Sequence, residues 1–109
     1  MGLFGSKKKL VKNTTRDNEF LKDYAIKVNG LLIYAEENEA ITAELGKMME
    51  NFQYTIPSMK PEAKALEKKI KKDFDTLTMT LQQNGWSEGD VSMLIKGIRR
   101  YLTEIASLR

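Results

Sequence analysis

The sequence predicts an all-α protein, a small helical bundle preceded by a cationic tail. Three observations carry that expectation. Mainly apolar residues recur at steps of three and four from Leu21 to Phe52, from Ala63 to Leu81 and from Val91 to Leu108, the spacing of a helix with one buried face. Pro57 and Pro61 stand together between the first two stretches, where a helix must stop. Between the last two, Asn84-Gly85-Trp86-Ser87 supplies a stop signal followed by a start signal.

The tail comes first. Residues 1–16 read MGLFGSKKKLVKNTTR and hold five of the 18 basic residues and none of the 15 acidic ones. The rest of the chain has 13 basic and 15 acidic residues, a net −2, so the overall surplus of +3 belongs to the tail. The division is therefore a flexible cationic tail over 1–16 and a helical-bundle domain over 17–109, one domain by size. Leu3 and Phe4 give the tail an apolar tip, and Leu10 and Val11 add a second apolar patch. Lysines beside an anionic membrane contribute ~1 kcal/mol each, and an apolar tip adds insertion energy. The start Met1-Gly2-x-x-x-Ser6 also matches the myristoylation pattern, for which Lys7, Lys8 and Lys9 would be the second, polybasic signal. Gly2, Leu3, Phe4, Lys7, Lys8, Lys9 and Lys12 are the candidate membrane contacts, and a solubilising terminus is the alternative reading of the same residues.

Residues 17 to 52 read as one long helix. Leu21, Tyr24, Val28, Leu31, Ala35, Asn38, Thr42, Leu45, Met49 and Phe52 keep heptad phase, and Phe20, Leu32, Ile41 and Met48 widen the stripe. Thr15 or Asp17 is the candidate cap, and Asp17 and Glu19 load the first turn with acid. Asn29-Gly30 is a turn-like dipeptide, so a break there is the alternative, but the unchanged phase favours continuity. Asn38 and Thr42 fall on the seam. A polar seam site can fix register or oligomer state. The favoured reading is that the helical period drifts against a strict heptad and Ile41 takes the core position. A continuous helix would be ~50 Å long, longer than the two that follow, and would leave an apolar stripe for a second copy of the chain.

Residues 53 to 61 form an extended strap whose Tyr54 and Ile56 are expected to lie on the bundle. A second helix opens with Pro61 at its first position and Glu62 behind it, and runs to about Asn84. Its apolar face is Ala63, Leu66, Ile70, Phe74, Leu77 and Leu81. Gly85 then ends that helix, and Trp86 packs back on Leu81. Ser87 with Asp90 resembles a capping box opening the third helix, with Trp86 and Val91 as its hydrophobic staple. Val91, Leu94, Ile98, Tyr101, Ile105 and Leu108 form the third seam, flanked by Ile95 and Leu102. Ser92, Lys96, Arg99, Arg100, Thr103 and Ser107 face water. Met48, Met49, Met59, Met79 and Met93 are expected to fill the core.

Function is narrowed mainly by exclusion. The chain has no Cys and no His, which removes disulfides, thiolate metal sites, cysteine nucleophiles and the commonest general base. Asp73 and Asp75, two apart on a helix, diverge by ~200° and do not share an ion. No catalytic residue, metal ligand or cofactor is assigned. The longest apolar run, Leu31 to Ala35, is far short of the ~20 residues a spanning helix needs. No apolar core follows Lys7–Lys9, so the tail is not a secretory signal. A cytoplasmic body, peripheral at the inner membrane face, is the expected location. A second basic feature lies on the second helix. Lys60, Lys64, Lys68 and Lys72 are four apart, with Lys69 and Lys71 beside them. Lys64, Lys68, Lys71 and Lys72 are the candidate contacts for a polyanion or an acidic partner. The flank of Glu36, Glu37, Glu39 and Glu44, within the bundle or in a second copy, is one such partner.

The resulting expectation is a non-catalytic helical interaction or scaffold module. It self-associates, serves an unidentified protein partner and is held at an anionic membrane surface by its tail. The alternative is a nucleic-acid-associated protein using the tail and the second-helix lysines. Interleaved Glu62, Glu67, Asp73 and Asp75, and the lack of an interleaved aromatic for base stacking, weigh against it.

Overall fold

A computed structural model describes residues 19–108. The tail and the Thr15 or Asp17 cap lie outside the described residues. The described chain is all-α. Helix α1 is described from 19 to 31 and passes into a single 3-10 segment, Leu32–Ala35. Helix α2 is Glu39–Tyr54, α3 is Pro61–Leu81 and α4 is Glu88–Ser107.

The first stretch is two helices, not one. The chain stays helical through Asn29-Gly30 and leaves the helix at 36–38. The cause is Asn38. Its backbone is extended (φ −118°, ψ 98°), and its side-chain oxygen accepts from the Ile41 N–H at 3.0 Å, capping α2. The carbonyl of Ala35 takes two donors, the Asn38 N–H at 2.9 Å and the Thr42 hydroxyl at 2.8 Å. Asn38 and Thr42 thus serve a turn. Ile41 is fully buried, as the drifting seam suggests, but it arrives there through a break. The break also removes the premise of an uncovered 50 Å stripe, because both halves of the stretch bury their apolar faces in one core.

Helices α1 and α2 form one hairpin, α3 and α4 a second. Tyr24, early in α1, faces Phe52, late in α2, at 5.7 Å between ring centroids. The hairpins lie side by side in the same sense. Asn38 donates to Glu88 (2.9 Å), Ser92 to Glu44 (2.9 Å) and Arg99 to Asn51 (2.7 Å), so α2 and α4 run parallel. On the other side Tyr24 meets Phe74 edge-on at 5.0 Å, and Gln82 donates to the Tyr34 hydroxyl at 3.3 Å, so α1 and α3 also run parallel. Ser92 and Arg99 were expected to face water. They are half-buried and bridge the two hairpins.

The core is continuous across the four helices, and its centre is aromatic: Tyr24, Phe52 and Phe74 meet one another. On α4 the fully buried line is Val91, Ile95, Ile98, Leu102 and Ile105, with Leu94, Tyr101 and Leu108 half-buried beside it. The seam therefore turns toward Ile95 and Leu102. Two contacts displace it that periodicity cannot show, since α4 packs on both α3 and α2.

At the second turn α3 ends at Leu81, before the expected Asn84. Gly85 has φ +73°, a left-handed conformation that strains any residue with a Cβ. Trp86 is half-buried against the core, and the Ser87 hydroxyl accepts from the Asp90 N–H at 3.4 Å at the start of α4. Of the methionines, Met48 is fully buried and Met49 half-buried, whereas Met59, Met79 and Met93 are exposed, not core fillers. Tyr54 and Ile56 are also exposed, so they do not lie on the bundle. The buried member of that connection is Ser58. A polar hydroxyl takes that place because it has a partner, the Lys60 N–H at 3.1 Å.

Candidate functional site

The parallel packing of α1 on α3 turns two unremarkable lysine sets into one groove. Lys64, Lys68 and Lys71 line it from α3 and Lys27 from α1, while Phe20 and Tyr24 provide an apolar floor. Glu67 is the acid in its wall. The Lys27 ammonium stands 4.6 Å from the Tyr24 ring centroid, a cation–π distance. Burial, followed by the carboxylates of Asp75 and Asp23, raises the Tyr24 hydroxyl above the ordinary tyrosine range, so the phenol stays neutral at physiological pH. Several ammonium groups above an aromatic floor suit an anionic group, such as a phosphate, attached to something apolar or planar.

Of the lysines singled out in the sequence, Lys64, Lys68 and Lys71 come together here. Lys72 is exposed and lies outside the groove lining. Lys69 turns the other way and stands 5.8 Å from the Tyr101 ring of α4. Lys27 was missed, because its place in the groove depends on which helix α1 packs against. The acidic flank does not meet these lysines within the chain. Glu44 accepts from Ser92, and Glu37 sits with Asn38, Gly85, Trp86 and Glu88 at the opposite end of the bundle. Gly85, Trp86, Ser87 and Asp90 thus belong to the turn end, far from the groove. Gly2, Leu3, Phe4, Lys7, Lys8, Lys9 and Lys12 lie outside the described residues.

The groove has a defined position. Residue 19, where the tail joins, the 55–60 connection and the C-terminal end of α4 share one end of the bundle, the last two meeting where Pro57, Met59, Lys60 and Leu108 line a common surface. The groove opens beside that end, with Phe20 and Lys64 both in its lining. Among the described residues no group of three or more Asp or Glu side chains is placed to hold a metal ion, and no helix is long and apolar enough to cross a membrane. Comparison with protein-family models, with curated proteins and with solved structures finds no match.

Proposed function

We propose that this protein is a non-catalytic helical interaction module that attaches peripherally to an anionic membrane surface on the cytoplasmic side. The observation that supports this reading is the groove of Lys27, Lys64, Lys68 and Lys71 opening at the end of the bundle where the tail, with its five positive charges and Leu3-Phe4 tip, joins the body. Each lysine close to such a surface contributes ~1 kcal/mol, so the tail and the groove add to one another. The test is sedimentation of the full chain with anionic vesicles, neutral vesicles and a single-stranded oligonucleotide. Binding to the anionic vesicles is expected, with weak binding to neutral ones and strong loss at 1 M salt, where screening shortens to ~3 Å. Preference for the oligonucleotide would replace this reading with the nucleic-acid one.

Assembly is part of the same proposal, on different grounds from a long uncovered helix. Ile26 and Ile33 are 71% and 69% exposed, and a second copy of the chain packing along α1 would cover them. Sedimentation equilibrium at tens of micromolar should then give a dimer, and Ile26→Lys with Ile33→Lys a monomer. A wild-type monomer would remove self-association and leave the membrane proposal standing.

A further inference from the structure

The 55–60 connection and its flanks expose three large apolar side chains at the tail end of the bundle: Tyr54 at 78%, Ile56 at 48% and Met59 at 76%. Three exposed apolar residues within six positions are a patch that a monomeric soluble surface rarely keeps without a use. The segment is also held in place. Pro57 and Pro61 fix φ at two of its positions, and the buried Ser58 hydroxyl accepts the Lys60 N–H. A segment already held loses little freedom on docking.

Charge around the patch is not random. Lys60 follows Met59 directly, and Lys64, Lys68, Lys69, Lys71 and Lys72 rise from it along α3, outnumbering the interleaved Glu62 and Glu67. The other end of the bundle is the reverse. Residues 28–46 and 73–95, which include both turn-end connections, carry eight acidic residues and no basic one. The two ends are separated by roughly 30 Å, the length of α3 at ~1.5 Å per residue. Near an anionic surface a side-on bundle would bring those acids into repulsive contact. An end-on bundle keeps the turn-end acids Glu36, Glu37, Glu39, Glu88 and Asp90 several screening lengths away, at ~8 Å each in physiological salt, while its lysines reach the headgroups.

We propose that Tyr54, Ile56 and Met59 form a membrane-inserting loop that stands the bundle end-on upon an anionic bilayer, with Lys60, Lys64 and Lys68 at headgroup level and the Trp86 turn pointing away. This rests on the membrane reading above and adds to it the part of the folded body that enters the lipid. An amphipathic tyrosine and a methionine suit the headgroup–acyl boundary, and the lysine stems extend from there toward phosphate.

The test uses the full chain and two single-tryptophan proteins. The wild type carries its one Trp at position 86. The second protein combines Met59→Trp with Trp86→Phe. On addition of anionic vesicles, emission from the position-59 probe should move to shorter wavelength and be quenched by bromine-labelled acyl chains. The native Trp86 should show neither effect in equally bound protein. Independently, Tyr54→Ser with Met59→Ser should weaken vesicle binding at least tenfold and leave the circular dichroism spectrum and melting temperature unchanged, since both side chains are exposed. Bound protein whose position-59 probe is not quenched, or whose Trp86 is, would overturn the end-on loop and leave the membrane reading intact. No vesicle binding by the wild type would overturn both.

Discussion

Phe52→Ala should destabilise the bundle by about 3–5 kcal/mol, the cost of emptying a large aromatic site in a packed core. Phe52 is fully buried and sits between Tyr24 at 5.7 Å and Phe74 at 6.3 Å, so with Tyr24 it joins one hairpin to the other. These two neighbours are on two other helices, α1 and α3, whose positions are fixed by the rest of the core, so the site cannot collapse to fill the space. For a domain of this size the melting temperature should fall by on the order of 20 °C. Tyr54→Ala, two residues along and exposed, should stay within about 0.5 kcal/mol. Thermal unfolding of the pair checks this. Equal, small shifts would mean that the aromatic centre is not what holds the hairpins together.

The second large effect is on binding. Deleting Met1 to Lys12 removes Lys7, Lys8, Lys9 and Lys12 together with the Leu3-Phe4 tip. At ~1 kcal/mol per lysine near an anionic surface, vesicle affinity should fall about a thousandfold before the apolar tip is counted. The melting temperature should not move, because the core of the described chain begins at Leu21. Vesicle titration and thermal unfolding of the same truncated protein separate the two effects. Undiminished binding would transfer the whole membrane contact to the groove and the 54–59 loop. A fall in stability would show that the tail also packs on the body.

The fold class was legible because three apolar stripes, two prolines and a Gly85-Trp86-Ser87 turn are local signals, each readable within a few residues. The break at 36–38 was not, although its residues were in plain view. Asn38 and Ile41 match an N-cap and its first buried position as well as they match a drifting heptad. What decides between them is whether α1 and α2 gain more by folding back on a shared aromatic centre than by continuing, and that is tertiary. The exposure of Tyr54 and Ile56 was hidden for a related reason. Alternation of polar and apolar residues shows that one side of a segment differs from the other, but not whether a surface is there to receive it. For the site, the α3 lysines stood out by their spacing. Lys27 could join them only once α1 was known to lie along α3, and the separation of acidic and basic ends depends on which stretches of chain the bundle stacks side by side.

The hydrogen bonds between α2 and α4 join residues nearly fifty positions apart, Asn38 with Glu88, Glu44 with Ser92 and Asn51 with Arg99, and this sets an order on the chain's search for its native state. Each hairpin closes through a connection of only a few residues, whereas docking one hairpin on the other must close a loop several times longer. Loop-closure entropy grows as (3/2)RT ln n, so a roughly tenfold greater separation carries about 2 kcal/mol more and docking is the late event. Docking is then the rate-limiting step, and side-chain packing completed only after that barrier acts mainly on how fast the protein comes apart. The loss at Phe52 should therefore be read out chiefly as faster unfolding, with refolding nearly unchanged. The bundle's resistance to opening then rests on the aromatic centre and the α2–α4 contacts between two units that assemble early.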